Sequence, residues 1–114
     1  MEKDEIVAAL AALAQESRLD TYRLLVQAGP EGMPAGEIAA ELGIAPNTLS
    51  FHFDRLRHAG LVKFERHGRS LIYAARYDTM NALINYLTEN CCGGRPDLCK
   101  PATRGPTKRK KEAV

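Results

Sequence analysis

All three cysteines of the chain fall within nine residues, at Cys91, Cys92 and Cys99. A thiolate is both a nucleophile and a soft ligand, so such a cluster can hold a thiophilic ion or take part in thiol exchange. Gly93-Gly94 permits a sharp turn after the first pair and Pro96 stiffens the return, which lets Cys99 come back to Cys91 and Cys92. A closed structural zinc site takes four ligands in a tetrahedron. Here there are three sulfurs, no histidine beyond His67, and Asp97 as the carboxylate in the loop. Three thiolates suit a pyramidal ion whose lone pair fills the fourth place, as in trivalent arsenic or antimony. The same donors suit Cd(II), Pb(II), Zn(II) or Cu(I), and a redox pair of Cys91 or Cys92 with Cys99 is a third reading. Incidental clustering is the plain alternative. A disulfide framework is not expected, because the count is odd and a Cys91–Cys92 bridge would close a small strained ring.

The elements that must position these thiols begin with a helix over Glu2 to Ala14, with Ile6, Leu10 and Leu13 as its stripe and Val7 and Ala14 widening it. A second helix runs from Ser17, its expected N-cap, to Ala28, with Leu19, Tyr22, Leu25 and Val26 as apolar positions. Pro30 to Pro34 reads as a loop. The last helix spans Arg76 to Asn90, with Tyr77, Met80, Leu83, Ile84 and Leu87 on one side, and the first two cysteines stand at its end.

Between these lies Pro34 to Val62, around which the chain is organised. Ile38, Ala39 and Leu42 form one face of a short helix, Gly43 can end it in the left-handed conformation, and Pro46 can open the next at its first position. Leu49, Phe53 and Leu56 recur as the buried stripe of that next helix, leaving Asn47, Thr48, Ser50, Phe51, His52 and Arg55 off it. Two helices joined by so short a turn fit a helix-turn-helix, whose second helix enters the DNA major groove. Leu61 to Glu65 and Leu71 to Ala74 read as strands around the turn signal His67-Gly68-Arg69-Ser70, with Leu61 facing inward and Val62 outward. A hairpin placed there is a wing, with Arg66, His67 and Arg69 at its tip for a phosphate or the minor groove.

Charge distribution agrees with DNA. The net charge of the 114 residues is only +2, yet Arg55 to Arg76 carries six basic residues against one acid, Glu65. Residues 100–114 add six Lys/Arg and one Glu and read as a basic, disordered tail, leaving 1–99 as the folded domain with the cysteine site. The N-terminus MEKDEIVAAL lacks a secretory pattern and no apolar run reaches membrane-spanning length, so a cytoplasmic location without membrane is expected. An enzyme such as a small arsenate reductase needs an anion cradle at a helix N-terminus. Cys91 instead follows a helix C-terminus, where the dipole disfavours a thiolate, so no catalysis is expected.

The run ELGIAPNTLSFHFDRLRHAGLVKFERHGRSLIYAA, preceded by two helices and followed by one, resembles the ArsR/SmtB winged helix-turn-helix repressors over about residues 5–90. Leu49 to Phe53, Leu56 to Val62 and Arg66 to Arg69 carry the resemblance. It implies a mainly α fold with a β-hairpin wing, a homodimer pairing the first and last helices, and a repressor that holds an operator until an inducer binds. It also implies DNA contact at Ser50 and His52. Many members place a thiolate pair at the helix matching Ala35 to Leu42, and others carry zinc-binding His and Asp along the last helix. This chain has Met33-Pro34-Ala35-Gly36-Glu37 at the first place and, of the second set, only Asp78. Its Cys91, Cys92 and Cys99 resemble the ligands of arsenic-responsive members, and Phe51 stands where a basic or polar residue is common. The expectation is an As(III)-responsive repressor binding double-stranded operator DNA as a dimer, with antimonite, methylarsenite, another thiophilic metal or thiol oxidation as alternative signals.

Overall fold

Helix α1 runs over Lys3–Leu13 and α2 over Glu16–Ala28, strand β1 is Met33–Pro34, and α3 and α4 span Ala35–Leu42 and Pro46–His58. Strands β2 (Val62–His67) and β3 (Ser70–Ala75) form the hairpin, and α5 (Tyr77–Thr88) leads into a 3-10 turn at Cys91–Gly94. This is a computed structural model that describes residues 1–94. Cys99, Pro96, Asp97 and the 100–114 tail lie outside the described residues.

The helix-turn-helix forms for local reasons. Gly43 takes the left-handed conformation at φ 66°, and the N–H of Ile44 returns to the Ala39 carbonyl at 3.1 Å, closing α3. Pro46 occupies the first turn of α4 behind the extended Ala45, where a missing N–H leaves nothing unsatisfied. Gly60, at φ 79°, ends α4, and the N–H of Leu61 bonds back to the Leu56 carbonyl at 3.0 Å. Leu61 then accepts the N–H of Arg76 at 2.8 Å, so the far end of the hairpin is tied to the exit of α4.

The sheet is antiparallel in the order β1-β3-β2, with Met33 opposite Tyr73 and Phe64 also opposite Tyr73 from the other side. The short β1 falls in the stretch expected to be loop. It exists because Gly32 lets the backbone press against β3: a Cβ there would lie 2.3 Å from the Tyr73 carbonyl oxygen, and φ is +75°. Pro34 costs no ladder bond on this edge.

Three expected faces are corrected. In α1 the residues buried are Ile6, Ala9 and Ala12, whereas Val7 and Leu10 of the expected stripe are exposed. Small residues face inward because α1 packs directly on both α2 and α4. In α2 the N-cap is Gln15, whose side-chain oxygen accepts the Arg18 N–H at 2.8 Å, while Ser17 lies inside the helix and its carbonyl accepts from the Thr21 hydroxyl at 2.7 Å. That bond allows Thr21 to be fully buried while Leu19 is exposed. In β2, Val62 is buried together with Leu61 instead of facing outward.

Candidate functional site

Helix α4 carries two faces. Leu49, His52, Phe53 and Leu56 are buried, and Pro46, Asn47, Thr48, Ser50, Phe51, Asp54 and Arg55 are exposed. The outward face begins with small polar groups on a first turn that has no acidic residue, so the positive end of the helix dipole is left uncompensated. Arg55 and Arg57 lie toward its C-terminal half. The Arg55 guanidinium sits 4.9 Å from the centroid of the Phe51 ring, and that of Arg57 sits 5.6 Å from Phe64 of the wing. Arg57 also pairs with Asp54 at 3.6 Å.

The wing is anchored to α4 by an aromatic stack. The rings of Phe53 and Tyr73 lie parallel to within 7° at 3.7 Å between centroids, and Phe64 leans on Tyr73 at 5.5 Å. Pairing of His67 with Ser70 leaves a two-residue turn led by Gly68 at φ 65°, the glycine position that such hairpins favour. Arg66, His67 and Arg69 are exposed around this turn. His67 Nε2 lies 3.0 Å from the Glu65 carboxylate, an exposed contact on the wing surface.

The two described cysteines follow α5. Asn90 and Cys92 both have positive φ, 57° and 59°, and Gly93 continues at 58°, so the left-handed turn begins three residues before the glycine that was expected to make it. Asparagine enters this conformation readily, whereas at Cys92 it carries strain. Cys91 and Cys92 are half-buried here. Among the described residues no group of three His, Cys, Asp or Glu side chains is gathered to hold a metal; the third thiol, Cys99, lies outside them.

Residues 13–63 match the model of a helix-turn-helix domain family. The uncharacterised HTH-type transcriptional regulator YceK of Bacillus subtilis is 36% identical over 73 residues, which cover 64% of this chain and 72% of that protein. Two solved structures align over 81% of the chain. One is the homodimeric winged helix-turn-helix DNA-binding domain of Mb0332 from Mycobacterium bovis, a possible ArsR-family regulator, with 26% identity, TM-score 0.62 and 85% of that chain covered. The other is HlyU of Vibrio cholerae, with 29% identity, TM-score 0.63 and 99% covered. The chain belongs to the ArsR family of helix-turn-helix transcriptional regulators.

In this ArsR-family regulator, α4 is the second helix of the DNA-binding helix-turn-helix, and one expected contact on it is corrected. His52 is only 6% exposed and points into the protein. Its Nδ1 lies 3.5 Å from Nη1 of Arg18, whose Nε donates to the Ala12 carbonyl at 2.6 Å. Arg18 thus joins the end of α1 and the start of α2 to the middle of the DNA-binding helix, and His52 supports α4 from behind. No periodicity marks Arg18 for this role, because the pairing spans 34 residues.

Burial, and then the neighbouring Arg18 charge, lower the His52 pKa below the ordinary 6.5. A depressed folded-state value means that the unfolded chain takes up this proton first. Stability held above pH 6.5 is therefore lost as the pH falls from there through the lower folded value. In denaturant titrations the wild-type midpoint is expected to decline over that window, and His52→Asn to decline less. Equal declines would remove His52 from the linkage.

Proposed function

We propose that the chain is an As(III)-responsive repressor. It holds operator DNA as a homodimer and lets go when Cys91, Cys92 and Cys99 of each subunit bind the metalloid. The observation that carries this reading is the confinement of every cysteine to one nine-residue stretch, with Cys91 and Cys92 adjacent just beyond α5. Trivalent arsenic enters as a hydroxide. Three S–As bonds form, three As–O bonds break, and the thiol protons leave in three waters, so no oxidant is needed.

Support for the dimer comes from α1 and α5. Val7 and Leu87 are each 57% exposed, and Leu10 and Tyr86 are exposed beside them in sequence, which gives both helices apolar surface beyond what the core uses. The similar Mb0332 domain is a homodimer. On DNA, Asn47, Thr48, Ser50, Phe51 and Arg55 face the bases, and the wing's Arg66, His67 and Arg69 face the backbone. The signal can reach the DNA because the thiols continue directly from α5. A change in how the end of α5 packs alters the seam, and with it the spacing of the two α4 helices. This requires that the metalloid bind the two arrangements unequally.

A mobility-shift titration tests the reading. Arsenite is expected to release wild-type protein from its operator and to leave Cys91→Ser bound, with no response of either to mild peroxide. Equal release of both proteins by arsenite would eliminate the thiol site, and release of wild type by peroxide alone would replace the metalloid with a redox signal.

A further inference from the structure

We infer that Phe51 reads the 5-methyl group of a thymine in the operator, which makes it a specificity-determining residue of α4. This rests on the proposal that the outward face of α4 enters the major groove. Phe51 is 52% exposed in the middle of that face, whereas Phe53, two residues on, is 2% exposed and belongs to the core. A phenyl ring standing in water gains by any contact that covers it. Its neighbours one helical turn away are Asn47 and Thr48 on one side and Arg55 on the other.

The ring also has two near neighbours. Arg55 covers it at 4.9 Å, and the buried His52 ring lies tilted at 6.1 Å. With these neighbours in place, half of the ring still faces outward. A phenyl ring has no donor or acceptor, so it cannot answer the polar edges of guanine, cytosine or adenine. The apolar group displayed on the major-groove floor is the thymine methyl. The electron-rich ring face also repels phosphate, which argues against a backbone contact. With Arg55 drawn over the ring, the cation is carried to the same point of the groove, where it can meet an adjacent acceptor or phosphate.

The probe comes from the wild-type protein itself, as the duplex it enriches from a random double-stranded pool. Each thymine of that duplex is then changed to deoxyuridine, which removes only the methyl. At one position per half-site wild type is expected to bind about three- to fivefold more weakly, the worth of one buried methyl. 5-Bromodeoxyuridine, whose bromine fills the methyl's space, restores binding there. Phe51→Ala is expected to bind the thymine and uracil duplexes equally. If wild type binds the enriched duplex but no uracil substitution weakens it, or if Phe51→Ala shows the same losses, the Phe51 assignment is overturned while DNA reading by α4 stands. If no duplex is enriched, both fall together.

Discussion

Phe53→Ala is expected to lower the stability of the protein by about 3–5 kcal/mol, the usual cost of truncating a buried phenylalanine. For a domain of this size that is a fall in Tm of at least about 12 °C. Phe53 is 2% exposed and shares its face with Tyr73 at 3.7 Å, so its removal leaves a cavity and also frees the ring that carries the wing. Tyr73 is paired with Met33 on one side and Phe64 on the other, at the centre strand of the sheet. Phe53 thus joins α4 to the centre strand of the sheet, alongside the Leu61–Arg76 backbone bond, and Arg57 over Phe64 adds only an exposed contact. Phe53→Leu refills part of the space and is expected to cost less than the alanine change. Thermal melts followed by circular dichroism decide the matter. An alanine variant within about 1 kcal/mol of wild type would show that the core closes over the gap and that the stack is not what holds the wing.

That stack also shows where reading the sequence succeeds and where it stops. Leu49, Phe53 and Leu56 are recognisable as the inward stripe of α4 from spacing alone, and Gly43 and Pro46 mark the turn, because both act through local backbone geometry. The hairpin is visible for the same reason, although β2 starts one residue later and runs two residues further than expected, and β3 is one residue longer at each end. Periodicity does not say which of two apolar surfaces a residue serves. On α1, Ile6 and Leu10 look like one stripe, yet only Ile6 is buried, and Ala9 and Ala12 fill the close contact with α2 and α4. Leu10 and Val7 are left on a second surface. His52 reads as an outward polar residue because its partner Arg18 is remote in sequence and no local rule brings the two together. β1 has two residues and no propensity of its own, and its pairing depends on how close Gly32 lets the backbone come to Tyr73. Of the proposed cysteine site, the sequence shows residue type and spacing, and for Cys91 and Cys92 the structure adds the positive-φ residues Asn90, Cys92, Gly93 and Gly94 that bend the chain after α5.

If the proposed arsenic site is right, Cys99→Ser is expected to separate two arsenicals to which the wild-type protein is also expected to respond. Inorganic arsenite offers three exchangeable hydroxyls and takes three thiols, whereas trivalent methylarsenite keeps its carbon and offers two. Cys91 and Cys92 are consecutive in the turn after α5, so in the proposed site they are the pair that stays complete without Cys99. Methylarsenite then forms two S–As bonds there and releases two waters in the Cys99→Ser protein as in wild type. Arsenite is left with one hydroxyl and a weaker hold. In wild type each arsenical is expected to reduce operator affinity by about 5- to 150-fold, the span of ordinary allosteric coupling. In Cys99→Ser the methylarsenite effect is expected to persist and the arsenite effect to vanish at concentrations that saturate wild type. Cys91→Ser, by contrast, is expected to lose both. The measurement is fluorescence anisotropy of labelled operator during titration with each arsenical. If Cys99→Ser answers arsenite as wild type does, the third sulfur is no part of the site. Two thiols next to the seam would then suffice, and the selectivity argued from three-coordinate arsenic would have to come from elsewhere in the turn.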